Sequence, residues 1–270
     1  MAHKPSPGIQ QISGVVMRVV RYQTKDKEEH WGWVFNEMIG EIEGDVFGEH
    51  HRLEAEIPLN SVKILTPCKP SKIICVGRNY VEHAKELDNE VPKYPLIFLK
   101  PPSSIIGDGD TIILPPQSKQ VEHEAELVIV VGRKSRNLTM DQAKDAIFGY
   151  TVGNDVTARD LQKLDGQWTR AKGFDTFCSF GPLIDTDFEI SDALIRCKVS
   201  GQPRQMGSTR DMVFDVKMIM AYVSSIMTLE PGDLIFTGTP SGVGILENGD
   251  VVTVEIEGLC TLTNPVIRSV

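Results

Sequence analysis

Glu122, Glu124 and Glu126 alternate in VEHEAELVIVVG, residues 121–132, a segment that opens on acids and ends in β-branched apolar residues. Carboxylates at such spacing repel, and burial raises the cost of keeping them ionised. They are either solvated at a strand end or held together by a cation. If 121–131 is one strand, Glu124 and Glu126 share a face, with Ala125 on the other. A third acid would complete a hard-oxygen site of the kind Mg2+ or Mn2+ prefers, and either Asp155 in YTVGND or Asp160 in TARD could supply it. His123 would face away from Glu124, which predicts a surface histidine or one that supports the site from outside the ligand set.

GRNYVEHAKEL supplies a second constellation. On a helix His83 and Glu86 stand three residues apart, close enough for the carboxylate to orient the imidazole as a general base. The polar stretch DNEVPKYP after it would suit a cover over a site. Lys172, in TRAKGFDTF, could stabilise a developing enolate or oxyanion, or could be a solvated surface charge. TGTPSGVG, residues 237–244, could offer backbone N–H groups to an anionic ligand. It lacks the GK[ST] ending of a nucleotide-binding loop.

The elements that must position these groups read as mostly strands. Residues 15–65 hold short apolar runs with Gly40, Gly44 and Gly48 between them, predicting a small β-meander. TPCKPSK (66–72) reads as a linker, dividing the chain into a small N-terminal β domain, 1–66, and a catalytic domain, 67–270. Within the latter, residues 139–147 are a predicted helix with a Thr139–Gln142 capping box, and 213–229 a predicted amphipathic helix. Few and irregularly interleaved helices favour a β-rich α+β fold.

Composition narrows the function classes. With 28 basic and 37 acidic residues the net charge is −9, which argues against nucleic acid or an anionic membrane as partner. Five scattered cysteines without a CxxC pair suggest reduced thiols in a cytoplasmic protein. The apolar run Leu127–Val131 is far short of a membrane span. The opening MAHKPSPGIQQ has no apolar core, so no secretory signal is expected.

In this order GRNYVEHAKEL, PLIFLKPPSSIIG, VEHEAELVIVVG, GYTVGNDVTARDLQ, TRAKGFDTFCSFGP, STRDMVFDV and LEPGDLIFTGTPSGVG resemble the fumarylacetoacetate hydrolase family, from about residue 70 onward. The resemblance implies a mixed β-sandwich roll with a small β-rich N-terminal domain, usually a homodimer, and a divalent cation. It implies Glu124, Glu126 and Asp155 as metal ligands, leaving a Mg2+ site near −1. It also implies His83 and Glu86 as a dyad on a lid, Lys172 as the active-site lysine, and Gln162, Thr239 and Arg78 as substrate contacts. The implied reaction is Mg2+-dependent hydrolysis of an acylpyruvate-type 2,4-dioxo acid to pyruvate and a carboxylic acid. Alternatives on the same site are decarboxylation of oxaloacetate and keto–enol or double-bond isomerisation of an unsaturated 2-oxo diacid, as with 2-hydroxyhepta-2,4-diene-1,7-dioate. A non-catalytic metal-stabilised scaffold would need the ion but neither His83 nor Lys172.

Overall fold

The computed structural model describes residues 17–269; the start of the meander segment and the polar N-terminal stretch lie partly or wholly outside them. Four N-terminal strands, β1 (Arg18–Gln23), β2 (Glu29–Phe35), β3 (Met38–Gly44) and β4 (His50–Pro58), form the predicted antiparallel meander, and β5 (Lys63–Leu65) pairs back onto β1. Gly40 and Gly44 lie inside β3 and not between strands. The Trp33 indole packs across Gly40, in space that a side chain would fill.

The meander does not stand alone. β1 pairs with β14 (Cys178–Asp185), so the sheet continues through β12 (Ile147–Asp155), β11 (Ala125–Val131), β17 (Leu234–Phe236), β6 (Ile73–Gly77) and β7 (Leu96–Lys100). β8 (Ile105–Ile106) adds to β14 in parallel, and β17 and β6 also run parallel within this otherwise antiparallel sheet. A second sheet has the order β16 (Gln202–Ser208), β15 (Leu194–Val199), β19 (Val251–Ile256), β20 (Cys260–Arg268) and β9 (Ile112–Leu114). A third, small sheet joins β13 (Thr157–Ala158), β10 (Val121–His123) and β18 (Gly244–Ile245). The result is a β-rich mixed sandwich roll.

β11 explains why the sheets stack. Successive side chains of a strand point to opposite faces, and this strand is apolar on both. Leu127, Ile129 and Val131 join the core shared with Ile195, Val254 and Leu262 of the second sheet. Val128 and Val130 join a separate core with Phe180 and Phe236, against which Trp31 and Trp33 of the meander pack. A continuous apolar run is what a strand covered on both faces requires.

The helices are short. α1 (Val81–Glu86) follows the GRN turn. α2 (Met140–Ala143) begins at the predicted Thr139–Gln142 capping box, but its last turn, Lys144–Ala146, tightens to a 3-10 helix before β12. α3 (Arg159–Asp165) and α4 (Thr169–Lys172) lie between β13 and β14. α5 (Val216–Ile226) is capped by Asp215 and buries Val216, Ile219, Met220 and Val223, the predicted three- and four-residue spacing. It starts after Phe214 because the Asp215 side chain accepts the Met218 N–H at 2.8 Å. No described helix is long and apolar enough to cross a membrane, and the five cysteines are free.

One close approach in the large sheet bears on the site. Gly153 on β12 sits opposite Glu126 on β11. A Cβ at residue 153 would lie 2.4 Å from Phe236 Cε1 and 2.6 Å from Val128 Cγ2. Gly153→Val is expected to cost about 1–3 kcal/mol through overpacking, read as a lower urea midpoint. The strand carrying Glu126 has to shift with it, so divalent-cation affinity should fall in the same variant.

Candidate active site

The acidic segment is not one strand. It breaks at Glu124: β10 belongs to the small sheet and β11 to the large one. The break is held by β12, whose Asn154 Oδ1 accepts the Glu124 N–H at 2.9 Å and whose Asp155 N–H donates to the Glu124 carbonyl at 2.9 Å. That exchange brings the third acid alongside. Ligand atoms of Glu124, Glu126 and Asp155 all lie within 4.8 Å of one another, and the three residues are buried. The solvated strand end is therefore excluded. Asp160, the other candidate, faces away: it accepts from Ser118 Oγ at 2.6 Å and from the Lys119 N–H at 2.8 Å. His123 is also not a surface residue; it is fully buried and its Nδ1 meets Gln205 Oε1 at 2.9 Å, not the carboxylate cluster.

Buried acids need counter-charge. Lys172, at the end of α4 and only 2 % exposed, places Nζ 2.7 Å from both Glu124 Oε2 and Asp155 Oδ2. It is not a solvated surface charge. Two further cations escaped the sequence reading. Lys100 closes β7 and donates to Asp155 Oδ1 at 2.5 Å and to the Val156 carbonyl at 3.1 Å. Arg159 opens α3 and bridges Glu122 at 2.8 Å and Glu124 at 2.5 Å, while its third nitrogen donates to Gln162 Oε1 at 2.7 Å. Glu122 thus serves Arg159, although it shares the acidic segment. A lysine closing the apolar run PLIFLK was a usable signal for Lys100. Arg159 stood beside Asp160 in TARD and was passed over.

The pairing is uneven. Burial pushes Glu124 up, but the charges of Lys172 and Arg159 more than reverse this and hold it well below the carboxylate range. Glu126 moves the other way. Burial, then the charges of Asp155 and Glu124, raise it well above its ordinary value. Among the described residues no cation forms an ion pair with Glu126; its Oε2 accepts only the Gly238 N–H, at 2.7 Å. Three oxygen-bearing side chains of which one lacks a counter-ion fit a hard divalent cation. With every group ionised, four carboxylates face Lys100, Arg159 and Lys172, a net of one negative charge. A divalent ion would make the site +1, where the three ligand carboxylates around the ion alone give −1.

The cavity over the cluster is about 330 Å³ and is lined also by Arg78, His83, Gln162, Trp168 and Thr239. His83 Nδ1 lies 3.3 Å from Glu86 Oε2. Burial lowers the His83 pKa, outweighing the nearby Glu124 and Glu86 charges, so the ring is a neutral base at neutral pH. Both Glu86 oxygens also accept the Gly242 N–H, at 3.0 and 3.2 Å. Gly242 has φ +96°, a conformation open to glycine. The N–H groups of the Gly-rich loop at 238 and 242 therefore bind the protein's own carboxylates. Arg78 packs its guanidinium over Trp168, 5.9 Å from the ring centroid, and has φ +58°.

Residues 72–267 match the fumarylacetoacetate (FAA) hydrolase C-terminal family. The chain belongs to the fumarylacetoacetate hydrolase family. Residues 17–67 match an N-terminal family described as Rv2993c-like. An uncharacterised protein of Methanocaldococcus jannaschii is 52% identical over 83% of this chain and 97% of its own. A mitochondrial oxaloacetate tautomerase of Homo sapiens is 43% identical over 78% of this chain and 71% of its own. The crystal structure of a 5-carboxymethyl-2-hydroxymuconate delta-isomerase from Mycobacterium smegmatis matches with a TM-score of 0.88 at 43% identity, covering 94% of this chain and all of that one.

The imbalance at Glu126 makes the metal testable without turnover. Mg2+ is expected to raise the melting temperature, since it binds only the folded chain, and to release a proton measurable by calorimetry in two buffers. Glu126→Gln should fold and lose both effects. Arg159→Met is expected to cost about 3–5 kcal/mol in chemical denaturation, because it leaves Glu122 buried without its cation and Glu124 with Lys172 alone.

Proposed function

We propose that this member of the fumarylacetoacetate hydrolase family moves a proton at the carbon next to the keto group of a small 2-oxo diacid, in keto–enol or double-bond isomerisation. One observation carries the reading: a buried, neutral His83, oriented by Glu86, lines the same small cavity as three convergent carboxylates and a buried lysine. The names of the human relative and of the mycobacterial structure, a tautomerase and an isomerase, support the same step.

Glu124, Glu126 and Asp155 would hold a divalent cation, Mg2+ or Mn2+, whose charge would polarise the keto group of a bound 2-oxo acid. The residues of the chain do the rest. Arg78 and Gln162 take substrate oxygens; the Gln162 amide nitrogen is free to donate because its Oε1 already accepts from Arg159. Thr239 bounds the cavity on the Gly-rich side. His83 gives its Nδ1 proton to Glu86 as a hydrogen bond and takes the substrate C3 proton at Nε2. Lys172 stays charged, because Asp155 and Glu124 outweigh the effect of its burial, and it sets a positive charge beside the oxygen where the anion develops. His83 then returns the proton, to oxygen for a tautomerase or to a farther carbon for an isomerase.

C–C hydrolysis of an acylpyruvate is the second reading, favoured by the hydrolase family that residues 72–267 match. There His83 would take a proton from water, not from carbon. The catalytic residues all lie in 67–270, the part we assign as the catalytic domain.

Incubation with Mg2+ and oxaloacetate in D2O decides between them. Faster keto–enol interconversion with deuterium uptake at C3 is expected. Release of acetate and pyruvate from acetylpyruvate, without such exchange, would establish hydrolysis instead. A lowered His83 pKa means that the base stays unprotonated below the ordinary histidine value of about 6.5, so kcat/KM should hold through that pH and fall only on further acidification. His83→Ala should lose that limb and roughly 10²–10⁴-fold in rate while Mg2+ still raises the melting temperature.

A further inference from the structure

Gln205 belongs to β16, in the second sheet, and does not line the cavity. It is nevertheless buried, and its amide reaches the acidic segment and the Gly-rich loop together. Oε1 lies 3.0 Å from Ala125 N, between two candidate ligands, and 2.9 Å from His123 Nδ1. Nε2 lies 2.7 Å from Thr239 Oγ1 and 2.8 Å from the Pro240 carbonyl. A backbone N–H can only donate and a carbonyl can only accept, so Ala125 and Pro240 fix which end of the amide is oxygen.

The remaining partners then have no choice. His123 Nδ1 carries a proton and donates it to Oε1. Thr239 Oγ1 accepts from Nε2, and its own proton points to the Ala125 carbonyl, 2.8 Å away. The Thr239 hydroxyl is thereby held between the ligand strand and the second sheet. All the hydrogen-bonding capacity that Gln205 uses goes to these two segments.

We propose that Gln205 is a positioning residue: clamped to Ala125 and His123 on one side and to Thr239 and Pro240 on the other, it fixes Thr239 over the cavity and so sets substrate affinity while touching neither substrate nor ion. This rests on reading the cavity as a 2-oxo acid site. Its effect passes through Thr239. Glu124 and Asp155 are held by Asn154, Lys100, Lys172 and Arg159, and Glu126 accepts from the Gly238 N–H. Gln205 bonds none of these carboxylates, which separates the clamp from the ion site.

The orientation is testable in the unmodified protein. Nitrogen-15 spectra of the histidine rings should give His123 as the neutral Nδ1–H tautomer. An Nε2–H tautomer would reverse the amide and overturn the proposal. For affinity, oxalate serves as a non-reacting probe, titrated by calorimetry in saturating Mg2+. Gln205→Met, Gln205→Glu and Thr239→Val are each expected to weaken oxalate about tenfold, through loss of the fixed cavity wall and not of a hydrogen bond to the ligand, and to raise KM alike with kcat within about threefold. Combining Gln205→Met with Thr239→Val should add nothing to Thr239→Val alone. Additive effects, or Mg2+ affinity, kcat and melting temperature falling together, would mean a merely structural glutamine and overturn it. Unchanged oxalate binding in the variants overturns the clamp alone. A wild-type protein that binds oxalate but turns over no 2-oxo acid overturns the proposed function and leaves the clamp standing; one that does neither overturns both.

Discussion

Like charges gathered out of water constrain this molecule more than any other interaction. A buried carboxylate is tolerated only with a partner, and removal of one member of such a pair leaves the other exposed to the full desolvation penalty. Glu124 and Asp155 meet this demand with lysines and an arginine from three separate elements, β7, α3 and α4. None of those elements is adjacent in sequence to the acids it serves. The cluster therefore acts as a long-range tie among segments spread over residues 100–172, and the fold has to close correctly for any of the charges to be satisfied.

The sheets supply the geometry for that closure. Glu126 lies opposite Gly153 and Ala125 opposite Asn154, so the antiparallel register sets Asp155 level with Glu124. Breaking at Glu124 lets the chain leave one sheet and enter another, while β12 holds both sides of the break through Asn154 and Asp155. The register gathers the three acids, and the interruption moves the chain before Glu124 onto the small sheet. The apolar remainder of β11 anchors it: one face packs on the second sheet, the other on the core that the meander covers.

Much of this was legible in one dimension because it depends on local pattern. The run ELVIVV announced a strand buried on both faces, Thr139 and Gln142 announced a helix start, and the alternation of acids announced a shared direction. The legible part stops where partners are distant. Nothing near Glu124 indicates that Lys100 will reach Asp155, and the polar QPRQMG of an edge strand looks solvent-facing although Gln205 turns inward. His123 shows the same limit: strand alternation predicted correctly that it would face away from Glu124, but could not choose between a surface residue and one that another sheet covers. Local periodicity encodes direction; what waits in that direction depends on topology.

Glu86 binds two things at once, the His83 ring and the backbone of the Gly-rich loop at residue 242. Any swing of α1 away from that loop detaches the carboxylate from its anchor and the imidazole from its carboxylate in the same movement. Under the proposed function, opening the pocket at α1 and disarming the base would be one event, with His83 oriented only while Glu86 stays docked on the loop.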